Sequence, residues 1–163
     1  MRSKVYTPVQ RRRAAFAGRC GVLLAGIAAA IIPAARVRAH DQGGNLGTGA
    51  SATDYYEISC FDDGAGAPGS LEIRIRDASP GSLPHVSAQV QRGLSLASVS
   101  DTITADIVPS PSIHSNEGAG VYNVLVDKSG PGAKFYQLTY HCWTGPDGTG
   151  VHTGSALVTR QSQ

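Results

Sequence analysis

Three histidines, three aspartates and two cysteines carry the chemistry this sequence could support. His40 follows Val37-Arg38-Ala39, and cleavage after Ala39 would give it a free α-amino group beside its imidazole. That pair of nitrogen donors suits Cu(II). His141 and His152 flank a turn at Pro146-Asp147. If the flanking strands pair symmetrically about that turn, the two imidazoles meet on the outward face and complete a copper site. A one-residue slip in register separates them. Asp62-Asp63-Gly64 and Asp147-Gly148 lie just after Cys60 and Cys142. A bridge between those cysteines brings the three carboxylates to one end of the molecule, where oxygen donors could hold calcium. Asp-Gly pairs are also ordinary turn residues.

Aromatic side chains offer a second kind of chemistry. Trp143, with Tyr55, Tyr122 and Tyr140, could present stacking faces to a carbohydrate or protein partner. Trp143 adjoins Cys142, so the expectation is that it caps the disulfide, with an exposed ring at the loop mouth as the alternative. Nucleophilic or zinc hydrolysis has no support: the chain lacks a Gly-x-Ser-x-Gly elbow and a His-Glu-x-x-His motif. Cys60 and Cys142 read as a bridge rather than as nucleophiles, and the protein is expected to be non-catalytic.

The elements that must position these residues begin after an export signal. Residues 1–39 have a basic opening (Arg2, Lys4, Arg11, Arg12, Arg13), a weakly apolar run over 22–32, and the Ala39 cleavage motif. The apolar run is too short and too broken by Gly and Pro to remain as a membrane anchor. The arginine triplet and the basic residues Arg36 and Arg38 leave the export route open between the general and the twin-arginine pathways. The expected location is the periplasm or the exterior.

Eight of the 14 Lys and Arg lie in that segment and none of the 12 Asp and Glu, so the remainder is acidic, with a net charge near −6. Such a surface repels phosphate backbones and argues against nucleic-acid binding. Two cysteines remain, an even number that suits one disulfide in an oxidising compartment.

Residues 40–53 are Gly-rich and polar with a single leucine, and read as a flexible tail. From 54 to 163 the pattern is one of short alternating runs. Tyr56, Ile58 and Cys60 share a face; so do Leu71, Ile73 and Ile75, then Val86, Ala88 and Val90. Residues 101–107 repeat the period with Ile103, Ala105 and Ile107. The clearest stretch runs from Gly120 to Cys142. Tyr122, Val124 and Val126 alternate in, Ser129-Gly130-Pro131-Gly132 turns, and Tyr136, Leu138, Tyr140 and Cys142 alternate in again. It reads as an antiparallel hairpin. A last strand over 150–159 carries Val151, Leu157 and Val158. Seven or eight such strands, with no helical period, predict a single all-β antiparallel sandwich with one disulfide.

Asp54-Tyr55-Tyr56-Glu57-Ile58, Leu71-Glu-Ile-Arg-Ile, Val86 to Gly93, Gly120-Val-Tyr-Asn-Val-Leu-Val and Tyr136-Gln-Leu-Thr-Tyr together resemble the bacterial pre-peptidase C-terminal domain. The resemblance covers about 54–142. It implies a jelly-roll-like sandwich without catalysis, of the kind that accompanies secreted hydrolases and assists secretion or surface and substrate binding. This chain departs from the pattern in having no preceding protease, an added cysteine pair and an extension past Cys142. The expected role is an exported binding or accessory module using the loops 61–70 and 143–150. A copper protein built on His40 is the alternative.

Overall fold

The computed structural model of the protein describes residues 40–163. The expected export signal, 1–39, with its expected cleavage site, lies outside them. Nine strands follow one another: β1 (His40–Leu46), β2 (Asp54–Phe61), β3 (Ser70–Asp77), β4 (Val86–Arg92), β5 (Ser95–Asp101), β6 (Ile113–Ser115), β7 (Gly120–Lys128), β8 (Lys134–Trp143) and β9 (His152–Gln161). All pairings are antiparallel.

The hydrogen-bonded path runs β5-β4-β7-β2-β9-β8-β3-β6, with β1 added on β8. It folds over at β9, whose first residues pair with β8 and whose remainder pairs with β2. The result is a front sheet, β1-β8-β3-β6, facing a back sheet, β5-β4-β7-β2-β9. The order 1-8-3-6 against 5-4-7-2 is that of a jelly roll, with β9 as a ninth strand. At the far side the hydroxyls of Ser95 (β5) and Ser115 (β6) approach to 3.2 Å, so the sandwich is nearly closed.

The alternating residues named above for β2, β3, β4, β7 and β8 form one buried core between the sheets. Each fully buried Val, Leu or Ile contributes about 1.5–3 kcal/mol. Cys60 and Cys142 meet in this core as a disulfide, with Cα atoms 5.6 Å apart, joining β2 of the back sheet to β8 of the front.

Four expectations need correction. β7 and β8 do not form a hairpin: both edges of β7 are occupied, by β2 and β4, and β8 pairs with β1 and β3. The Ser129–Gly132 turn carries the chain from one sheet across to the other.

Residues 40–46 are not a tail. They form β1, in register from His40 opposite Tyr140 to Leu46 opposite Lys134, and Leu46 is fully buried. A polar, Gly-rich sequence suffices because β8 supplies the ladder and the inward positions need little bulk. At Gly44 a Cβ would lie 2.2 Å from the Tyr136 ring.

Residues 101–107 are not a strand; Ile103 and Ile107 are exposed and Ala105 has φ 62°. The strand there is β5, which a two-residue turn at Gly93-Leu94 folds back onto β4, placing Arg92 opposite Ser95. Such turns want positive φ, and Gly93 has φ 56°. The last strand starts at His152, and Val151 and Val158 are exposed rather than packed.

Candidate binding surface

Glu72 is the centre of a polar patch on the outer face of the front sheet. Register fixes its neighbours: β3 lies between β6 and β8, with Glu72 opposite His114 on one side and His141 on the other. Directly opposed residues of an antiparallel pair share a face. Trp143, two residues beyond His141, takes the same outward direction and pairs with Ser70 and His152.

Glu72 is only 5% exposed although it faces outward. Its Oε2 accepts the indole N–H of Trp143 at 2.7 Å, and its Oε1 accepts Ser112 Oγ at 2.8 Å and Arg74 Nε at 2.8 Å. Burial pushes its carboxyl pKa up, but the donors from Ser112, Trp143 and Arg74 outweigh that and hold it below the ordinary glutamate value. Burial, and then the neighbouring His152, push His141 down. Burial also lowers His152, against the pull of Glu72.

Three rings cluster beside this carboxylate. The centroids of His141 and His152 are 4.5 Å apart, and Trp143 meets His152 edge-on at 4.0 Å. Among the described residues the imidazole nitrogens of His114, His141 and His152 make no hydrogen bond, and all three rings are part-exposed.

The loops at this end are fixed to one another. Gly69 N donates to Trp143 O at 2.7 Å and Ser70 Oγ to Gly145 O at 2.7 Å. Thr153 Oγ1 donates to Phe61 O and Gly66 O at 3.0 and 2.8 Å. The short 3-10 turn Pro146–Gly148 lies over the patch, where a Cβ on Gly148 would meet His114 Nε2 at 2.7 Å and Glu72 Oε2 at 3.3 Å. The two loops singled out in the sequence do therefore share a wall.

The individual residues sort differently from expectation. Trp143 does not cap the disulfide, because successive strand residues face opposite sides and Cys142 faces in. Tyr140 is buried in the core and Tyr55 lies on the outer face of the back sheet, bonded to Asn123 Oδ1 at 2.8 Å. With Trp143 they lie on three different surfaces and form no common stacking platform. Tyr122 is also buried, its hydroxyl on Gly118 O at 2.6 Å.

The register around Pro146-Asp147 is shifted by two residues from the symmetric one, so His152 opposes Trp143 rather than His141. A shift of two preserves the face, and the histidines still meet diagonally. His40 does not join them: it opposes Tyr140, shares the inward side of the front sheet, and stacks on that ring at 5.3 Å.

Asp62 and Asp63 bond to backbone N–H groups of their own loop (Gly64, Gly66 and Ala65), and Asp147 pairs with Asn116. Among the described residues no group of three His, Cys, Asp or Glu is arranged to hold a metal ion, which leaves neither the copper triad nor the calcium cage assembled.

Sequence reasoning missed Glu72 and His114. Glu72 appeared as one more outward residue of an alternating strand. Its burial follows from Ser112, Arg74 and Trp143 converging on it, which single-strand periodicity does not report. No helix among the described residues is long and apolar enough to cross a membrane. No protein-family model, curated protein or solved structure matches the chain.

Proposed function

We propose that this protein is an exported, non-catalytic jelly-roll module that binds a carbohydrate partner through the outer face of its front sheet, beside the disulfide. One observation carries the reading: an indole locked by a buried carboxylate stands beside two imidazoles, His141 and His152, whose nitrogens make no hydrogen bond among the described residues. A sugar asks for an apolar ring surface and for both donors and acceptors, and neutral imidazoles supply both. The sheet and the disulfide-tied loops hold the rings in place beforehand, which limits the ordering cost of binding. The disulfide agrees with an oxidising, extracytoplasmic location, and the acidic composition disfavours strongly anionic partners.

The test is retention on a panel of neutral insoluble polysaccharides and on a glycan array. Trp143→Ala and His141→Ala should each weaken retention at least tenfold, while Tyr55→Phe on the opposite face leaves it unchanged. Equal binding by all four proteins would remove this surface from consideration.

A second reading is a copper-binding protein that uses His40 after cleavage. It is favoured by the 4.5 Å spacing of His141 and His152, and it requires the His40 end of β1 to leave Tyr140 and swing to the outer face. Native mass spectrometry with added Cu(II), comparing the mature protein with His40→Ala, separates the two. A copper adduct that depends on His40 favours the second reading.

A further inference from the structure

At the opposite end of the sandwich from the disulfide, Lys134 and Asp77 form an ion pair of 2.7 Å with side chains only 2% and 0% exposed. Asp77 ends β3 and Lys134 opens β8. Asp77 opposes Tyr136, so the two are diagonal neighbours on the same inward side. The other two ion pairs among the described residues each have a partner about half exposed, so this is the one withdrawn from water.

Every atom around the pair is held. Asp77 Oδ1 accepts Ser79 N at 2.9 Å, and Asp77 N donates to Asp101 Oδ2 at 2.7 Å. Lys134 Nζ also donates to Gly81 O at 3.0 Å. Charges taken this far out of water are costly to keep as ions. The amine and the carboxylate are held at hydrogen-bond distance with little freedom, and fixing two groups that can react in one place raises their effective concentration.

We propose that Lys134 and Asp77 join in the folded protein through an isopeptide bond. One proton moves along the 2.7 Å hydrogen bond, leaving a neutral amine and a carboxylic acid. The Nζ lone pair attacks Asp77 Cγ, and a bond forms between them. The Cγ–Oδ2 bond then breaks, and its oxygen departs with two hydrogens from the amine and acid as one water. The remaining amide N–H keeps Gly81 O as its acceptor. No oxidant, reductant or cofactor is needed. A surface cleft lined by Asp77, Ser79, Pro80, Ala105 and Asp106 lies next to the buried pair, so the released water has bulk solvent close by.

The product staples β3 to β8 about 26 Å from Cys142 along the same strand, taking 3.3 Å per residue. Unlike the disulfide, it is indifferent to reductant.

The test is peptide mapping of the protein purified folded from an exporting host, after reduction of the disulfide. Cross-linking blocks trypsin at Lys134, so residues 77–92 should emerge joined to 129–160, one water lighter than the two peptides together. Lys134→Arg should abolish that species. In Asp77→Asn the same product should form with loss of ammonia in place of water. Asp-Gly sites such as Asp63-Gly64 can also lose water by closing on the backbone, so a loss that persists in Lys134→Arg overturns the proposal. So does a wild-type protein whose peptides 77–92 and 129–134 appear separately at full mass.

Discussion

The indole N–H of Trp143 is bound to the carboxylate of Glu72 at 2.7 Å, across two neighbouring strands. The contact ties the only tryptophan to the one outward-facing carboxylate of the patch that is almost fully buried. Hydrogen bonds to a charged partner are worth about 1.5–3 kcal/mol, and their loss leaves the donors stranded. Glu72→Ala should therefore destabilise the fold by about 2–3 kcal/mol in urea unfolding. It should also shift tryptophan emission to the red as the indole loosens. Glu72→Gln retains an acceptor and should cost less.

Acid should act on the patch in two windows. His141 and His152 are held below the ordinary histidine value of 6.5, so the unfolded chain binds more protons there. The stability they contribute is full above pH 6.5 and declines as pH falls below it. Glu72 is held below the ordinary glutamate value of 4.5, so its contribution is full above that pH and is lost as acid protonates the folded form. Urea midpoints measured from pH 7.5 to 3.5 should fall in both windows. The His141→Gln/His152→Gln double variant should flatten the upper one alone.

The disulfide closes a loop of 82 residues. Chain-entropy reasoning assigns such a bridge about 4.5 kcal/mol. Reduction, or Cys60→Ser/Cys142→Ser, should lower unfolding free energy by roughly that amount, read from urea curves with and without reductant. A change below about 1 kcal/mol would show that the core alone holds the two sheets together.

Gly44 and Gly43 offer a paired test of β1. A Cβ on Gly44 would lie 2.2 Å from the Tyr136 ring, whereas on Gly43 the nearest atom is 4.0 Å away. Overpacking of a formed core costs about 1–3 kcal/mol. Gly44→Ala should lower stability by that amount and speed amide exchange across residues 40–46, with Gly43→Ala close to neutral. If residues 40–46 were a loose tail, both changes would be silent.

How far the sequence could be read depended on the bulk at inward positions. Where these are Leu71, Ile73, Ile75 or Tyr122, Val124, Val126, period two marks the strand and its buried face without ambiguity. β1 presents His40, Gln42, Gly44 and Leu46 inward, and β5 presents Ser95, Ala97, Val99 and Asp101. Small and polar residues leave no such trace, so both strands escape notice. The run Ile103, Ala105, Ile107 has the period but no partner strand. Ile103→Ser and Ile107→Ser should therefore each change stability by less than about 0.5 kcal/mol.

Strand pairing was harder to read than strand existence. A Gly-Pro-Gly turn between two alternating runs looks the same whether it closes a hairpin or crosses between sheets. At the candidate site, Trp143, His141 and His152 were visible as residue types. Their union depended on a two-residue shift of register, and Glu72 entered only through contacts from its own strand and two separate segments.

The position of β9 has a consequence for the order in which the molecule can be completed. β2 lies between β7 and β9, and β1 and β3 both rest on β8. The Thr153 hydroxyl on the Phe61 carbonyl alone spans 92 positions. Of the strands in the first half of the sandwich, only β4 and β5 find each other locally. A ribosome releasing this chain thus delivers strands whose partners are not yet made, and the seam between the sheets waits for β9, His152–Gln161. Such long-range closure folds slowly, and it should make assembly nearly all-or-none once β9 has emerged.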